Sequence, residues 1–520
     1  MNEIIEIPVN TFYDEMLKIR HEKKMDFLTD LIGMDWGEEG LGVVYLLEST
    51  ETGEKMTVKT KQTNRETTEI HSVCDIWKAA ELKEREAYDF FGIKFINHHD
   101  MRRLYLREDW VGYPMRKDDD PAGNNPLNME NEETIDTTVE FNVNPDGTIA
   151  GKEHTLFEDG EYVINMGPQH PATHGVLRFR ISLEGEIIKK LDVNCGYIHR
   201  GIEKMCESLT YPQTLALTDR LDYLGAHQNR HALCMCIEKA MEVEVSDRVK
   251  YIRTIMDELQ RIDSHLLFYS CLCMDLGALT AFFYGFRDRE HILDIFEETT
   301  GGRLIQNYNT IGGVQADIHP NFVRKVKEFI PYMRGIIHEY HDVFTGNIIA
   351  RERMTGVGVL SREDAISFGA TGGTGRASGW ACDVRKRAPY AAYDKVDFKE
   401  IIYKEGDSLA RYMVRMDEIM ESLKIIEQLI DNIPEGDYQV KMKPIIRLPE
   451  GSWYSAVEGS RGEFGAFIES RGEKNPYRVH FRSTGVPLVS VIDTICRESK
   501  IADLITIGGT LDYVVPDIDR

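Results

Sequence analysis

Two long stretches of the chain repeat apolar residues every three to four positions, which is the spacing of a buried helix face. The first, residues 245–279, carries the apolar series Val249, Ile252, Met256, Leu259, Ile262 and Leu266. The second, residues 410–434, stops at Pro434, which cannot continue a helix. These patterns predict two long helices in the second half of the chain.

The first 117 residues show shorter and more varied patterns. A helical spacing of Phe12, Met16 and Ile19 precedes two runs of strand-like residues, 42–49 and 55–62, which the turn residues TETGE join as a hairpin. Residues 72–92 then have the pattern of an amphipathic helix that ends at Gly92. We therefore predict a compact α+β domain over residues 1–117.

The pattern is lost between residues 118 and 159, which are acidic and rich in Asn, Pro and Gly, so we predict a linker there. From residue 160 short strands lead into the long helices, and after about Lys441 short strands and turns return, with a predicted hairpin over 459–470. The expected fold class is α+β. It has an α/β domain over 1–117, an acidic linker over 118–159, and a mainly helical domain with peripheral sheet over 160–520.

Composition and charge narrow the class of protein. The 520 residues carry a formal net charge of −25, which argues against a nucleic-acid surface. The longest apolar run, 271–286, is too short for a membrane span and contains Asp275. The first residues lack the basic and apolar regions of a signal peptide, so we expect a cytoplasmic chain.

The nine cysteines include no CxxC pair, and the two CxC pairs fall within helical patterns. They are typical of reduced thiols packed in a core, so we expect no metal ion and no iron–sulfur cluster bound by this chain. No GxGxxG follows a strand, which argues against a site for NAD or flavin.

The stretch NMGPQHPATHGVLRF, residues 165–179, holds two histidines four apart, His170 and His174. A zinc-binding helix would need this spacing, but Pro171 between them and Gly175 after them favour a loop between strands. Two interpretations stay open on local sequence. The loop is either a rigid turn whose histidines bond nearby backbone, or a segment that presents an imidazole to a ligand.

Longer motifs resemble a known family. GPQHPATHGVLRF, GYIHRGIEK, LTDRLDYLGAHQNR and RIDSHLLFYSCLCMDLGALT resemble the quinone-site (49 kDa, or D) subunit of respiratory complex I, the proton-pumping NADH:quinone oxidoreductase. ELKEREAYDFFGIKF, HHDMRRLYL and DWVGYPMRKD resemble its C (30 kDa) subunit, in the order of the bacterial C/D fusion. The D subunit in turn resembles the large subunit of nickel–iron hydrogenases, but the absence of both CxxC pairs excludes a hydrogenase.

The resemblance implies roles for individual residues. His174 and Tyr223 would hold the quinone head group, and Asp275 would be the partner that reloads His174 with a proton. The structural alternatives are a buried tyrosine with a satisfied hydroxyl and an acid that caps nearby backbone. The other residues of the loop are expected to shape it: Gly167, His170, Pro171 and Gly175.

Arg200 and Arg220 resemble arginines close to the terminal [4Fe–4S] cluster, which the neighbouring B subunit holds. The structural alternative is that they pair with Glu203 or Asp222. Where many family members have a histidine near this cluster, this chain has Ile305. We expect the loss of that imidazole to give a low, weakly pH-dependent cluster potential, which suits a low-potential quinone such as menaquinone.

The resemblance also implies partners. NADH and FMN would bind to other subunits, and the chain would contact the peripheral subunits of the B, I and G type and the membrane subunits H and A. The whole would lie on the cytoplasmic side of the bacterial inner membrane. The alternative is a purely structural assembly subunit, or the equivalent subunit of a related complex driven by ferredoxin or another donor.

Overall fold

A computed structural model describes residues 4–119, 137–144, 148–158, 160–169, 175–443 and 445–520. Its strands are β1 (Ile4–Glu6), β2 (Phe27–Asp35), β3 (Leu41–Glu48), β4 (Lys55–Gln62), β5 (Glu69–His71), β6 (Lys94–Ile96), β7 (Thr137–Val143), β8 (Ile149–Thr155), β9 (Tyr162–Met166), β10 (Arg178–Glu184), β11 (Ile187–Asn194), β12 (Asn309–Thr310), β13 (Gly313–Val314), β14 (Glu450–Gly459), β15 (Gly462–Arg471) and β16 (Arg478–Arg482).

The helices are α1 (Phe12–Glu22), α2 (Ala80–Phe91), α3 (Ile202–Ser208), α4 (Tyr211–Thr218), α5 (Ala226–Ala240), α6 (Asp247–Asp275), α7 (Leu279–Thr300), α8 (Phe322–Tyr340), α9 (Ile348–Met354), α10 (Arg362–Phe368), α11 (Gly372–Ala377), α12 (Val384–Arg387), α13 (Ser408–Ile430), α14 (Gly485–Ser490), α15 (Ile492–Cys496), α16 (Ile501–Leu511) and α17 (Val515–Ile518). Within the described ranges, no helix is both long and apolar enough to cross a membrane.

The first domain is built on a four-stranded sheet in the order β1-β4-β3-β2, in which β3 and β4 form the predicted hairpin. Helix α1 buries Phe12, Met16 and Ile19, the three residues whose spacing predicted it. Helix α2 begins later than predicted, at Ala80, and ends at Gly92, which adopts the left-handed conformation that glycine tolerates best. The predicted α+β class is confirmed here.

The prediction that residues 118–159 form only a linker is wrong for residues 137–143 and 149–155. Strands β7 and β8 pair there in antiparallel register and join β5 and β6 in a second four-stranded sheet. Residues 120–136, 145–147 and 159 of the predicted linker lie outside the described residues. The side chains of the β7–β8 hairpin are mostly half-buried or exposed, so no apolar alternation marks these strands in the sequence.

The second domain is organised around α6, which is 29 residues long and buried along nearly its whole length. Ser246 caps its first turn by accepting a hydrogen bond from the backbone N–H of Val249. Helices α5, α7 and α13 pack around it and bury the cysteines of both CxC pairs except Cys271, which is half-buried. Both predicted long helices are thus confirmed.

The end of the chain is more helical than predicted. The hairpin is present as β14 and β15, joined by the two-residue turn at Ser460 and Arg461. Residues 485–518, however, form the four short helices α14 to α17 rather than strands and turns. Their continuous apolar runs with valine and isoleucine suit a buried strand as well as a buried helix, because periodicity cannot distinguish the two in short segments.

The two domains share one apolar core and a buried group of charges. Trp77 and Phe27 of the first domain belong to the same buried cluster as Trp380 and Ile518 of the second. Seven ionisable residues meet across the boundary, and we call them the interface cluster: Asp30, Lys83, Glu86, Glu203, Arg478, His480 and Arg520. The domains are therefore packed as one body.

Candidate functional site around Tyr223

Tyr223 lies in the turn between α4 and α5, at the wall of a cavity of about 60 Å³. Residues distant in sequence complete the wall, among them Leu267, Cys271, Arg461, Asp512 and Tyr513. The phenol is half-buried, and burial raises the pKa of Tyr223 above its ordinary value. The group is therefore a neutral hydrogen-bond donor at physiological pH.

Arg461 is brought to this cavity by the tip of the β14–β15 hairpin. Its Nη1 donates to Asp222 Oδ2 at 2.9 Å and to Ser264 Oγ at 3.0 Å, and its Nη2 donates to Asp512 Oδ1 at 3.1 Å. The positive charge opposes the effect of burial on the pKa of Tyr223. We call Asp222, Arg415, Arg461 and Asp512 the cavity cluster, since Arg415 Nε also lies 3.5 Å from Asp512 Oδ2.

Asp275 is the last residue of α6, at the helix end rather than within it, and is half-buried. The charge of Asp275 affects the pKa values of two residues in the cavity wall. Burial first, and then the charges of Asp512 and Asp275, raise the pKa of Cys271 to about 11. Burial, with Asp275 among the charges, also raises the pKa of Tyr513. Asp275 therefore lies near enough to the cavity to act electrostatically on its wall, although it is not itself a lining residue.

The histidine loop is held between β9 and β10, which pair in antiparallel register. The loop prediction is thus supported by strands on both sides. His170, Pro171 and His174 lie outside the described residues, so their roles stay predictions. Gly167 and Gly175 both have positive φ values, 84° and 145°.

Gly175 fixes the end of the loop beside the cavity. A Cβ atom added to it would lie 2.4 Å from Val515 Cγ2, so no larger residue fits this contact. Val515 directly follows Val514, which lines the cavity. The residue after His174 is therefore packed next to the cavity wall.

Arg200 and Arg220 are neighbours on the surface, where Arg200 Nη2 donates to the carbonyl oxygen of Arg220 at 2.8 Å. Both side chains are exposed. Glu203 pairs with Arg478 at 2.7 Å, and Asp222 pairs with Arg461, so within the described part of the chain neither acid forms an ion pair with these arginines. The alternative that Arg200 and Arg220 pair with Glu203 or Asp222 is therefore wrong for the described residues. Their position beside a [4Fe–4S] cluster stays a prediction.

Arg461 and Asp512 are site residues that sequence reasoning missed. The sequence held one signal for Arg461. It is an arginine between small residues, in GSRGEF, at the tip of a predicted hairpin that is otherwise apolar. Its significance depends on packing against α6 and the end of α16, which no local pattern shows. Ile305 is half-buried in the segment after α7, and its effect on a cluster is untested.

Comparisons with known proteins match the chain to two family models. The family model described as "Respiratory-chain NADH dehydrogenase, 30 Kd subunit" matches residues 5–125. The model described as "Respiratory-chain NADH dehydrogenase, 49 Kd subunit" matches residues 275–447 and 440–520. The class of protein is thus a respiratory-chain subunit that carries both domain types on one chain.

Full-length relatives have the same arrangement. The C/D subunit of NADH-quinone oxidoreductase from Bacteroides fragilis is 76% identical, and that from Bacteroides thetaiotaomicron is 77% identical, each over the whole of both chains. The D subunit of the Desulfotalea psychrophila enzyme is 45% identical and matches 71% of this chain and all of its own. The chain belongs to the family of fused C/D subunits of NADH-quinone oxidoreductase.

One solved structure extends the comparison to another complex. A chain of the membrane-bound sulfane sulfur reductase, an archaeal respiratory membrane complex, is 34% identical with a TM-score of 0.68. The match covers 70% of this chain and all of that one. The fold of about 70% of this chain is therefore shared with a chain of another respiratory complex.

Proposed function

We propose that the cavity at Tyr223 is part of a quinone-reduction site, in which Tyr223 and His174 hydrogen-bond the two carbonyl oxygens of the quinone. Reduction to a quinol takes two electrons and two protons, so each oxygen needs a donor as negative charge develops on it. The observation that carries the proposal is the neutral, half-buried phenol of Tyr223 at a cavity wall beside the charged Arg461.

The size of the cavity defines where the quinone would bind. About 60 Å³ holds roughly two water molecules, which is too little for a quinone ring. The ring would therefore lie at the mouth of the cavity, between Tyr223 and the loop that carries His174. The remaining walls would come from the membrane subunits H and A, through which a water-insoluble quinone would enter.

Asp275 supplies protons in this scheme. After the imidazole of His174 gives its proton to the quinone oxygen, the carboxylate at the end of α6 favours return of the ring to its protonated form. Each turnover thus takes up protons at a fixed place, and this uptake would be coupled to proton translocation in the membrane subunits.

Electrons would arrive from a [4Fe–4S] cluster held by the B subunit. The exposed pair Arg200 and Arg220 is available for that contact, and positive charge beside a cluster stabilises its reduced form. NADH and FMN would bind to other subunits, with contacts to the I- and G-type subunits, on the cytoplasmic side of the bacterial inner membrane.

A second candidate is the equivalent subunit of a related complex driven by ferredoxin or another donor, and the similarity to the sulfane sulfur reductase chain favours it. A third candidate is a purely structural assembly subunit. The NADH-driven and the ferredoxin-driven candidates share the quinone site and differ in the electron donor. Supplying the purified complex with NADH or with reduced ferredoxin separates them.

The test of the site is Tyr223→Phe in the intact complex. Loss of the hydroxyl removes one proton donor, so we expect quinone reduction to fall about 100-fold. Electron transfer from NADH to an artificial acceptor that takes electrons before the quinone should stay unchanged. The measurement is the rate with each acceptor.

Tyr438→Phe is the matched control, because this tyrosine is exposed and lines no part of the cavity. It should leave both rates unchanged. Failure of the Tyr223→Phe complex to assemble, or quinone reduction at the normal rate, would favour the structural assembly subunit.

A further inference from the structure

A large cavity between the two domains is lined mainly by positive charge. Its volume is about 590 Å³, compared with about 60 Å³ for the cavity at Tyr223. Of the described residues, two acids line it, Glu108 and Asp109, in a chain whose formal net charge is −25. Six arginines line it: Arg85, Arg102, Arg103, Arg107, Arg178 and Arg180. Positive charge concentrated in one cavity of an acidic chain is typical of a site for an anionic partner.

The wall from the first domain is the segment after β6, residues 102–109, which forms neither helix nor strand. Asp89 of α2, which is fully buried, holds this segment. Its Oδ2 accepts hydrogen bonds from three successive backbone N–H groups at 3.1, 2.8 and 3.0 Å, those of Leu104, Tyr105 and Leu106. The arginines of this wall therefore stand on a backbone that is fixed in place.

Strand alternation on β10 provides the wall from the second domain. Phe179 and Ile181 belong to the apolar core that the two domains share. Arg178 and Arg180 alternate with them, so they lie on the opposite face of the strand, where they line the cavity. Arg178 Nε and Nη2 both donate to Asn165 Oδ1 on β9, at 3.0 and 2.8 Å. The side chain is thus oriented by its neighbouring strand.

Two buried carboxylates hold three of the guanidinium groups close together. Arg102 Nη2 lies 2.7 Å from Asp100 Oδ2 and 2.8 Å from Asp192 Oδ1. Arg85 Nη1 lies 3.4 Å from Asp100 Oδ2, and Arg180 Nη1 lies 3.9 Å from Asp192 Oδ2. Guanidinium groups fixed in this way can bind an incoming carboxylate through two parallel N–H···O bonds.

An adjoining cavity of about 450 Å³ has a different balance of charge. It shares Arg85 and Arg102 with the first cavity. Of the described residues, however, five acids line it: Glu81, Asp100, Glu140, Asp192 and Asp493. An acidic partner would therefore be attracted to the arginine-lined end of the cleft between the domains and not to its whole length.

We propose that the arginine-lined cavity receives an acidic segment of a neighbouring subunit, whose Asp or Glu side chains pair with the arginines. The chain belongs to a family of subunits of a larger enzyme, so neighbouring subunits are available. The volume is within the range of about 300–1,000 Å³ that is usual for ligand sites. The proposal concerns assembly and does not depend on the quinone site.

The walls suit carboxylates better than a nucleotide or a free phosphate. Phosphate groups usually bind at a helix N-terminus or a glycine-rich loop. Among the described lining residues none begins a helix, and Gly196 is the one glycine. A Cβ atom added to Gly196 would lie 2.1 Å from the carbonyl oxygen of Tyr105, so its backbone is packed against the first domain.

The test is chemical crosslinking of the intact complex that carries Arg178→Lys. A carbodiimide joins the introduced amine to a carboxylate in direct contact by forming an amide. The neighbour that Arg178 contacts on β9 is the amide of Asn165, which cannot react in this way. We expect mass spectrometry to find a bond to an Asp or Glu of another subunit.

Arg324→Lys is the matched control, because Arg324 is exposed on α8 and lies 2.9 Å from Glu328 of the same chain. The amine introduced there should crosslink only within the chain. Crosslinks from position 178 that are likewise confined to this chain would overturn the proposal, since the chain itself would then fill the cavity.

Charge reversal gives a second measurement. Arg107→Glu combined with Arg178→Glu places like charges against an acidic segment, which opposes its binding. After a wash at high salt, the subunit identified by crosslinking should remain in the purified complex at a level about 10-fold lower than normal. The full chain with both substitutions should keep its circular dichroism spectrum, and Arg324→Glu should leave the subunit content unchanged.

Full retention of that subunit after charge reversal would overturn the proposal. The absence of any crosslink from position 178 to another subunit would do the same. If ATP or inorganic phosphate then raised the melting temperature of the unmodified chain but not that of the doubly substituted chain, the cavity would be a site for small anions instead.

Discussion

The interface cluster and the cavity cluster are built from the same kinds of side chain and serve different ends. In the interface cluster His480 lies between Asp30 Oδ2 at 3.1 Å and Glu203 Oε1 at 3.2 Å. Among the described residues, no buried polar atom of this cluster is without a hydrogen-bond partner. In the cavity cluster Arg461 Nε has no hydrogen-bond partner, and Arg415 Nε and Asp512 Oδ2, 3.5 Å apart, form an ion pair but no hydrogen bond.

Buried polar groups are normally satisfied, so unsatisfied ones need a reason. A complete network fixes the packing of two domains, whereas an incomplete one beside a cavity leaves polar atoms available to a ligand or to water. The comparison therefore separates charges that hold the fold from charges that can take part in chemistry. Three measurements test it.

The largest effect is expected for Glu203→Ala in the interface cluster. Glu203 accepts from the backbone N–H of Phe481 and pairs with Arg478 and His480, so its loss leaves buried positive charge unpaired. We expect the free energy of unfolding, measured by urea denaturation of the full chain, to fall by roughly 3–5 kcal/mol.

Glu328→Ala is the control, because Glu328 forms an exposed pair with Arg324 one helical turn away. Its loss should change the free energy by no more than about 0.5 kcal/mol. Similar small losses in both variants would mean that the interface cluster does not hold the domains together.

A smaller effect on stability and a larger one on activity are expected for Asp512→Asn in the cavity cluster. The amide keeps the shape but is a weaker acceptor for Arg461, which retains Asp222. Quinone reduction by the intact complex should fall about 10-fold, and the free energy of unfolding by only about 1–2 kcal/mol. A loss of stability as large as that of Glu203→Ala, with normal activity, would remove the distinction between the clusters.

The smallest effect is a pH dependence that belongs to the interface cluster. Three carboxylates surround His480, and Arg478 lies beside it: Asp30 of β2, Glu86 of α2 and Glu203 of α3. Burial lowers the pKa of His480, but Glu203 and Asp30 outweigh burial, so the pKa is raised. A pKa that is higher in the folded than in the unfolded state stabilises the folded protein. This stabilisation is fully present at pH values below the unfolded pKa of about 6.5, and it is lost as the pH rises through the folded pKa.

Urea denaturation at pH 6 and pH 9 measures this effect. The unmodified chain should lose stability between the two, and His480→Gln should lose less. An equal loss in both would show that His480 is not the group that titrates.

Several elements of the fold could be predicted because their signal is local. Helix α6 and helix α13 keep a regular apolar spacing, and the β3–β4 and β14–β15 hairpins combine strand residues with turn residues. The β7–β8 hairpin could not be predicted, because its strands pair mainly with each other and have no continuous apolar face. The helices from Gly485 onward are short and mostly buried, so their apolar residues show little period.

The candidate site was predictable in part. Tyr223 and Asp275 were identified by resemblance to a family; Tyr223 lines the cavity, and Asp275 acts electrostatically on Cys271 in its wall. Arg461 and Asp512 lie about 240 and 290 positions after Tyr223 in the sequence. They come close to it only in the folded chain, so no local pattern could identify them.

The length and pairing of α6 have a mechanical consequence. The helix spans about 43 Å, and five of its buried ionisable residues each pair with a group on another helix, α5, α7, α12 or α13: Arg253, Asp257, Glu258, Asp263 and His265. A shift of one turn along its axis would break all five pairings at once. The helix is thus a rigid strut that holds Asp275 stationary. If Asp275 transfers protons as proposed, any accompanying displacement would occur in the loops beyond the helix end.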